Sequence, residues 1–225
     1  MKMKKLIGAA FVALAAAVPS FAAVELGAGF QMTPYNSVKV EDADGVYEAV
    51  PFGFKADATF YFGEIRPFSI GLNIGLGYDY FKWLYDSSLR EIHGGFNSEI
   101  TVGPAFRFAV PGTRSSFFVS PGFKFNFMGI TTEEEDAAGK DWYDVLFAFE
   151  FGFHVDACYT FWVVQNERFG LGLDFGADYS LGFGRAGNAK GAWKDDGNDI
   201  DVDWLDVEYA HHLKVYTGVT FRLGK

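Results

Sequence analysis

The chain has 225 residues with 19 Lys+Arg against 29 Asp+Glu, 26 Phe, 27 Gly and one cysteine, Cys158. So acidic a chain is repelled by phosphate, which argues against a nucleic-acid partner. A lone cysteine allows neither an internal disulfide nor a thiolate-built metal site. No stretch beyond the N-terminus holds the roughly 18 consecutive apolar residues that a membrane-crossing helix needs.

The first residues, "MKMKKLIGAAFVALAAAVPSFAA", set Lys2, Lys4 and Lys5 before an apolar run that ends at Pro19 and the small-residue step Ser20-Phe21-Ala22. That order predicts a secretory signal peptide over residues 1–22, cut after Ala22. Residues 23–225 then form one domain. Removing the signal takes away three Lys and no acid, leaving 16 Lys+Arg against 29 Asp+Glu and a formal charge of −13.

Eight segments follow in which large apolar residues alternate with small or polar ones, the period of a β-strand with two opposed faces. The first, 24–32, sets Val24, Leu26, Phe30 and Met32 against Glu25, Gly27, Gly29 and Gln31. The second, 51–62, sets Phe52, Phe54, Phe60 and Phe62 against Lys55, Asp57 and Thr59. The third, 68–80, reads "FSIGLNIGLGYDY", with Asp79 on its small-residue face. The fourth, 96–108, opposes Ile100, Val102 and Phe106 to Asn97, Glu99 and Arg107. The fifth, 117–127, opposes Phe117, Phe123 and Phe125 to Ser120, Lys124 and Asn126. The sixth, 145–159, opposes Phe147, Phe149, Phe151 and Phe153 to Glu150, His154 and Asp156, and the seventh, 169–183, carries Asp174 and Asp178 on its glycine-rich face. The eighth, 205–223, sets Leu213, Val215, Val219 and Phe221 against Asp206, Glu208, His212, Lys214 and Arg222.

Connections alternate as well: long at 33–50, 81–95, 128–144 and 184–204, short at 63–67, 109–116 and 160–168. An up-and-down barrel puts odd connections on one rim and even ones on the other, the layout of a transmembrane β-barrel with long outer loops and short periplasmic turns. An eight-stranded interior cannot hold nearly all of these Phe rings, which therefore face outward. Small and charged residues line the lumen. Tyr and Trp near segment ends (Tyr78, Tyr80, Trp83, Trp142, Tyr143, Tyr159, Trp162, Trp204) fit interfacial belts. In lipid every backbone polar group must be paired internally, so eight strands have to close on themselves. The expected fold is an all-β, eight-stranded antiparallel up-and-down transmembrane β-barrel.

The pattern resembles the small eight-stranded outer-membrane proteins of diderm bacteria, the OmpW and OmpX type; "IRPFSIGLNIGLGYDYF" is similar to their hairpin strand that alternates after a proline. The resemblance implies residence in the bacterial outer membrane after export through the periplasm. It also implies contact with outer-membrane lipid and dependence on periplasmic chaperones and the barrel-insertion machinery. Such proteins finish on an aromatic residue, whereas this chain ends "VTFRLGK".

The candidate functional element is the lumen polar network: Glu25, Lys55, Asp57, Asp79, Glu99, Arg107, Lys124, Glu150, His154, Asp156, Asp174, Asp178, Asp206, Glu208, His212, Lys214 and Arg222. Charges so confined persist only when paired, which predicts an ion-paired plug, with a narrow cation-favouring path as the alternative. Two acidic stretches, "TTEEEDAAGKD" and "DDGNDIDVD", lack the EF-hand glycine and terminal Glu and are expected to be solvated loops. His211 is directed outward, but its strand carries no Ser, and Thr217 and Thr220 lie toward the other rim, so no lipid-facing triad is expected. "GFGRAG" at 182–187 has no following helix and reads as a strand end entering a loop. Pro104 and Pro121 each remove a ladder donor and predict a weak seam between the fourth and fifth strands. The sequence predicts no cofactor, no metal site and no enzymatic activity. It predicts a structural and surface-interaction barrel, with a narrow channel or small-hydrophobe transporter as the alternative.

Overall fold

The computed structural model describes residues 23–40, 46–48, 51–62, 67–81, 92–135, 141–166, 168–189 and 202–224. The predicted signal peptide lies outside the described residues.

The strands are β1 (Ala23–Val40), β2 (Val46–Glu48), β3 (Phe52–Tyr61), β4 (Phe68–Phe81), β5 (Ile92–Ala109), β6 (Ser115–Glu135), β7 (Asp141–Gln165), β8 (Phe169–Ala189) and β9 (Val202–Gly224). From β3 to β9 each pairs antiparallel with its neighbour in order, and β1 pairs with β3 on one side and with β9 on the other, from Ala23↔Gly224 onward, closing the ring. Eight strands make the barrel. The short β2 pairs with the end of β1, Ser37↔Glu48 to Lys39↔Val46, on the edge that β3 occupies below it up to Met32↔Phe52, and so continues the place of β3 in the wall.

Alternation forces the two faces apart. Phe30 is 66% exposed and Phe54 60%, whereas Asp79 is 0% exposed. In a barrel this means apolar rings outside and charge within. The outer rings pair across strands: Phe125–Phe151 at 5.0 Å, Phe127–Phe149 at 4.8 Å and Phe123–Phe153 at 5.3 Å between centroids. Contacts of this kind contribute about 0.5–1.5 kcal/mol each beyond their area and hold the register.

The short turns are built locally. Gly112 has φ of 74°, the left-handed backbone that glycine adopts without a Cβ penalty, inside the turn closed by Val110 N donating to Ser115 O at 2.9 Å. Asn166 Oδ1 accepts from the amides of Arg168 and Phe169 at 2.9 and 2.8 Å, an Asx turn that reverses β7 into β8.

Three long connections are shorter than predicted, because strands continue past the apolar wall: β1 runs on to Val40 against β9, cutting back the connection expected at 33–50. β6 and β7 stay in unshifted register to Glu135↔Asp141, and β8 and β9 pair as far as Ala189↔Val202. Outside lipid a ladder needs no apolar face, so its hydrophobic signal fades while its hydrogen bonds continue. "GFGRAG" is accordingly strand rather than loop. Its glycines permit close packing: a Cβ on Gly187 would meet the Phe147 ring, and one on Gly184 the Phe149 carbonyl.

The proline seam is present. β5 and β6 pair at Val102↔Phe123 and again at Phe106↔Val119 with no change of register, leaving residues 103–105 and 120–122 unpaired with each other. On that register Pro104 stands opposite Pro121. Each still pairs on its other side, to Leu72 and Val155.

Candidate functional site

The lumen is filled by side chains in three tiers. At the short-turn end, Glu25 of β1 accepts from Arg107 of β5, from Arg222 Nε of β9 at 2.7 Å and from Tyr61 Oη at 3.0 Å. Arg107 also donates to Tyr61 Oη at 2.9 Å and to Ser116 Oγ at 2.6 Å. Trp162 Nε1 donates to the same Ser116 oxygen at 3.1 Å, and the Arg222 guanidinium lies 4.1 Å above the indole ring. Trp162 is thus a lumen residue, 1% exposed, and not part of the interfacial belt. It stands three residues from the outward Tyr159, on the opposite face of β7.

In the middle tier Lys55 contacts Asp156 and sits 3.7 Å over the Tyr216 ring, whose hydroxyl donates to Asp156 at 2.7 Å. Thr220 donates to Asp174, and Ala105, Phe118 and Cys158 pack against Tyr216. Asp57 is half-buried beside them; a Cβ on Gly27 would lie 2.5 Å from its Oδ1, so the glycine makes room for that carboxylate.

Toward the other rim Lys214 bridges Asp79 at 2.5 Å and Glu99 at 2.9 Å. Lys124 lies 2.6 Å from Glu99 and donates to Ser180 at 3.1 Å. Gln31 and Asn97 amides donate to Asp79 at 2.7 and 3.3 Å. His154 Nδ1 lies 2.6 Å from Asp178, and His212 Nε2 lies 2.8 Å from Glu150, which also accepts from Asn126 at 3.0 Å. Each pair spans different strands, so the network ties separate parts of the wall together.

Fifteen of the seventeen sequence candidates therefore line the lumen. Asp206 and Glu208 do not: both lie on the outer face, Asp206 paired with Arg185 at 3.2 Å and Glu208 with Lys39 at 2.5 Å. A register shift separates Gly182↔Ala210 from Gly184↔Val207, inserting one extra residue in β9, and this bulge reverses the alternation beyond it. Strict period-two counting had no signal for it. The sequence reading missed Gln31, Tyr61, Trp162 and Tyr216 as network members, although strand parity places all four inward.

Outside the lumen, Tyr179 Oη lies 2.7 Å from His211 Nδ1, with the Tyr209 ring 5.2 Å from the imidazole. Ser37 of β1 is directly opposite His211 in the ladder. The structure thus supplies hydroxyls from neighbouring strands that a search of β9 alone could not find. Thr220 is turned inward onto Asp174. Of the acidic stretches, residues 136–140 and 195–201 lie outside the described residues. Among the described residues no three His, Cys, Asp or Glu converge as a metal-chelating group.

Two small cavities among the lumen side chains measure about 20 Å³, bordered by Asp57 and Asp174, and about 10 Å³, bordered by Lys124 and His212, while a larger space of about 840 Å³ touches Glu99, Asn126 and Glu150 along with the outer rings Phe125, Phe149 and Phe151. A water needs roughly 10–15 Å³ on such a measure.

No family model matches the sequence, and comparison with curated proteins finds no relative. Among solved structures, the chain is similar to a major outer membrane protein from Thermus thermophilus, at 11% identity over 87% of this chain and 99% of that one, with a TM-score of 0.51. It also matches Ail, the attachment invasion locus protein of Yersinia pestis, at 12% identity over 90% and 99% of the two chains with a TM-score of 0.44. A third match is the outer membrane protease OmpT from Escherichia coli, at 7% identity over 90% and 96% with a TM-score of 0.46. With eight antiparallel strands closed in a ring, apolar outside and charged within, the chain has the fold of the small outer-membrane β-barrels.

Proposed function

We propose that this chain is a non-enzymatic integral barrel of the bacterial outer membrane, exported by a cleaved signal peptide, that reinforces the envelope and presents its outer loops for surface interaction. The observation carrying this reading is the crowded lumen: buried charge pairs cross it between separate strands, and the cavities beside Asp174 and beside Lys124 and His212 are water-sized. Ions need a continuous wet path, and a plug of this kind offers none. The non-enzymatic reading is supported by Ser37, which is 4% exposed and so shielded from attack on a lipid ester, and by His211, whose Nδ1 is engaged by Tyr179. Planar-bilayer recording of the refolded protein is expected to give no stable discrete openings; a reproducible unitary conductance would overturn the plug.

A second reading, passage of small hydrophobes through the wall, is favoured by the β5–β6 seam, where Ala105, Phe118 and Cys158 present an apolar lining. Disulfide closure of the seam in a Pro104→Cys/Pro121→Cys variant would abolish uptake of a small aromatic probe into proteoliposomes on that reading, and leave it unchanged on the first.

A further inference from the structure

We propose that the middle tier of the lumen binds one monovalent metal cation of sodium size between Asp57 and Asp174. At this end of the barrel four carboxylates, Glu25, Asp57, Asp156 and Asp174, face three fixed cations, Lys55, Arg107 and Arg222. Glu25 is taken by the two arginines and Asp156 by Lys55 and Tyr216. Among the described residues Asp57 and Asp174 remain without an ion-pair partner. Asp174 is 6% exposed, and while its Oδ2 accepts from Thr220, its Oδ1 has no hydrogen-bond partner among the described residues although it borders the cavity. The cavity of about 20 Å³ admits a single water-sized particle. Thr59 and Thr160 border the same space and offer further oxygens to a hard ion, the rest of the wall including Arg107, Phe118 and Cys158.

A single positive charge is what these two tiers together lack. Calcium and magnesium call for six or more oxygen ligands with several carboxylates among them, and the two free carboxylates here cannot supply that. A neutral water would fill the space but leave buried charge uncompensated. Half-buried Asp57 is the one of the four carboxylates that keeps contact with solvent, and it marks the side from which the ion enters.

Thermal unfolding of the refolded full chain in detergent, followed by circular dichroism, tests this in sodium chloride against N-methyl-D-glucamine chloride at equal ionic strength, the organic cation being too large for the cavity. Wild type is expected to unfold roughly 2–4 °C lower in the organic salt. Asp57→Asn and Asp174→Asn are each expected to unfold at the same temperature in both salts. Should Asp174→Asn fail to fold for want of its Thr220 contact, Asp57→Asn carries the test alone. Equal wild-type midpoints would mean that a shared proton or water balances the pair and would overturn the proposal. A salt difference that survives in the folded variants would place the ion elsewhere and overturn it equally.

Discussion

Replacing Lys214 by Met tests whether the lumen network holds the barrel together. The ammonium is buried to 1% exposure and bridges Asp79 and Glu99, which belong to β4 and β5, strands that do not adjoin β9 in the ring. Methionine keeps most of the volume, so the perturbation is electrostatic. Removing one partner of a buried ion pair costs about 3–5 kcal/mol, because the remaining charge is stranded away from water. Asp79 keeps the Gln31 and Asn97 amides and Glu99 keeps Lys124, which puts the expected loss near the lower end, roughly 3 kcal/mol. For a chain of this size that corresponds to a fall in Tm of roughly 6–12 °C. The assay is thermal and urea unfolding in detergent micelles of wild type, Lys214→Met, Asp79→Asn and the double variant. If the cost is a stranded charge, Lys214→Met/Asp79→Asn recovers about half of it, a coupling of about 1 kcal/mol or more. A single variant within about 0.5 kcal/mol of wild type, or a double variant as damaged as the sum of the singles, would refute the reasoning.

Phe125→Arg places a cation on the outer wall at a side chain 51% exposed. If that wall faces acyl chains, the change costs about 2–4 kcal/mol in urea unfolding from lipid vesicles; a cost below about 0.5 kcal/mol would mean that the face meets water. Pro104→Ala/Pro121→Ala restores two ladder donors at the seam, and amide hydrogen exchange across residues 103–105 and 120–122 is expected to slow, with unchanged exchange arguing that another feature keeps β5 and β6 apart.

How far the site was legible follows from what a period of two can carry. Glu25, Asp79, Glu99, Lys124, Glu150, His154, Asp178, His212 and Lys214 were assigned inward by parity alone, and each is buried in the lumen. Parity survives only while no residue is inserted. At the β9 bulge it fails, and Asp206 and Glu208 emerge on the outer face with Arg185 and Lys39. Trp162 was misread for a different reason: aromatic type near a segment end suggested the belt, while its even position on β7, shared with Glu150, His154 and Asp156, already pointed inward. Strand length was underestimated at 128–144 and 184–204 because hydrogen-bonded pairing leaves no hydrophobic signature once a strand leaves lipid.

What the amino-acid order determined by itself was the two-faced character of each strand, the alternation of rims and the position of the proline seam, all consequences of local backbone geometry. Which charges meet was decided only by closure of the barrel. Lys214 joins Asp79 across 135 positions and Arg222 joins Glu25 across 197, because the ring brings distant strands to one height in a space too narrow for water to separate them. No local rule ranks such partners, since every inward carboxylate is equally eligible until the shear of the closed sheet sets their levels.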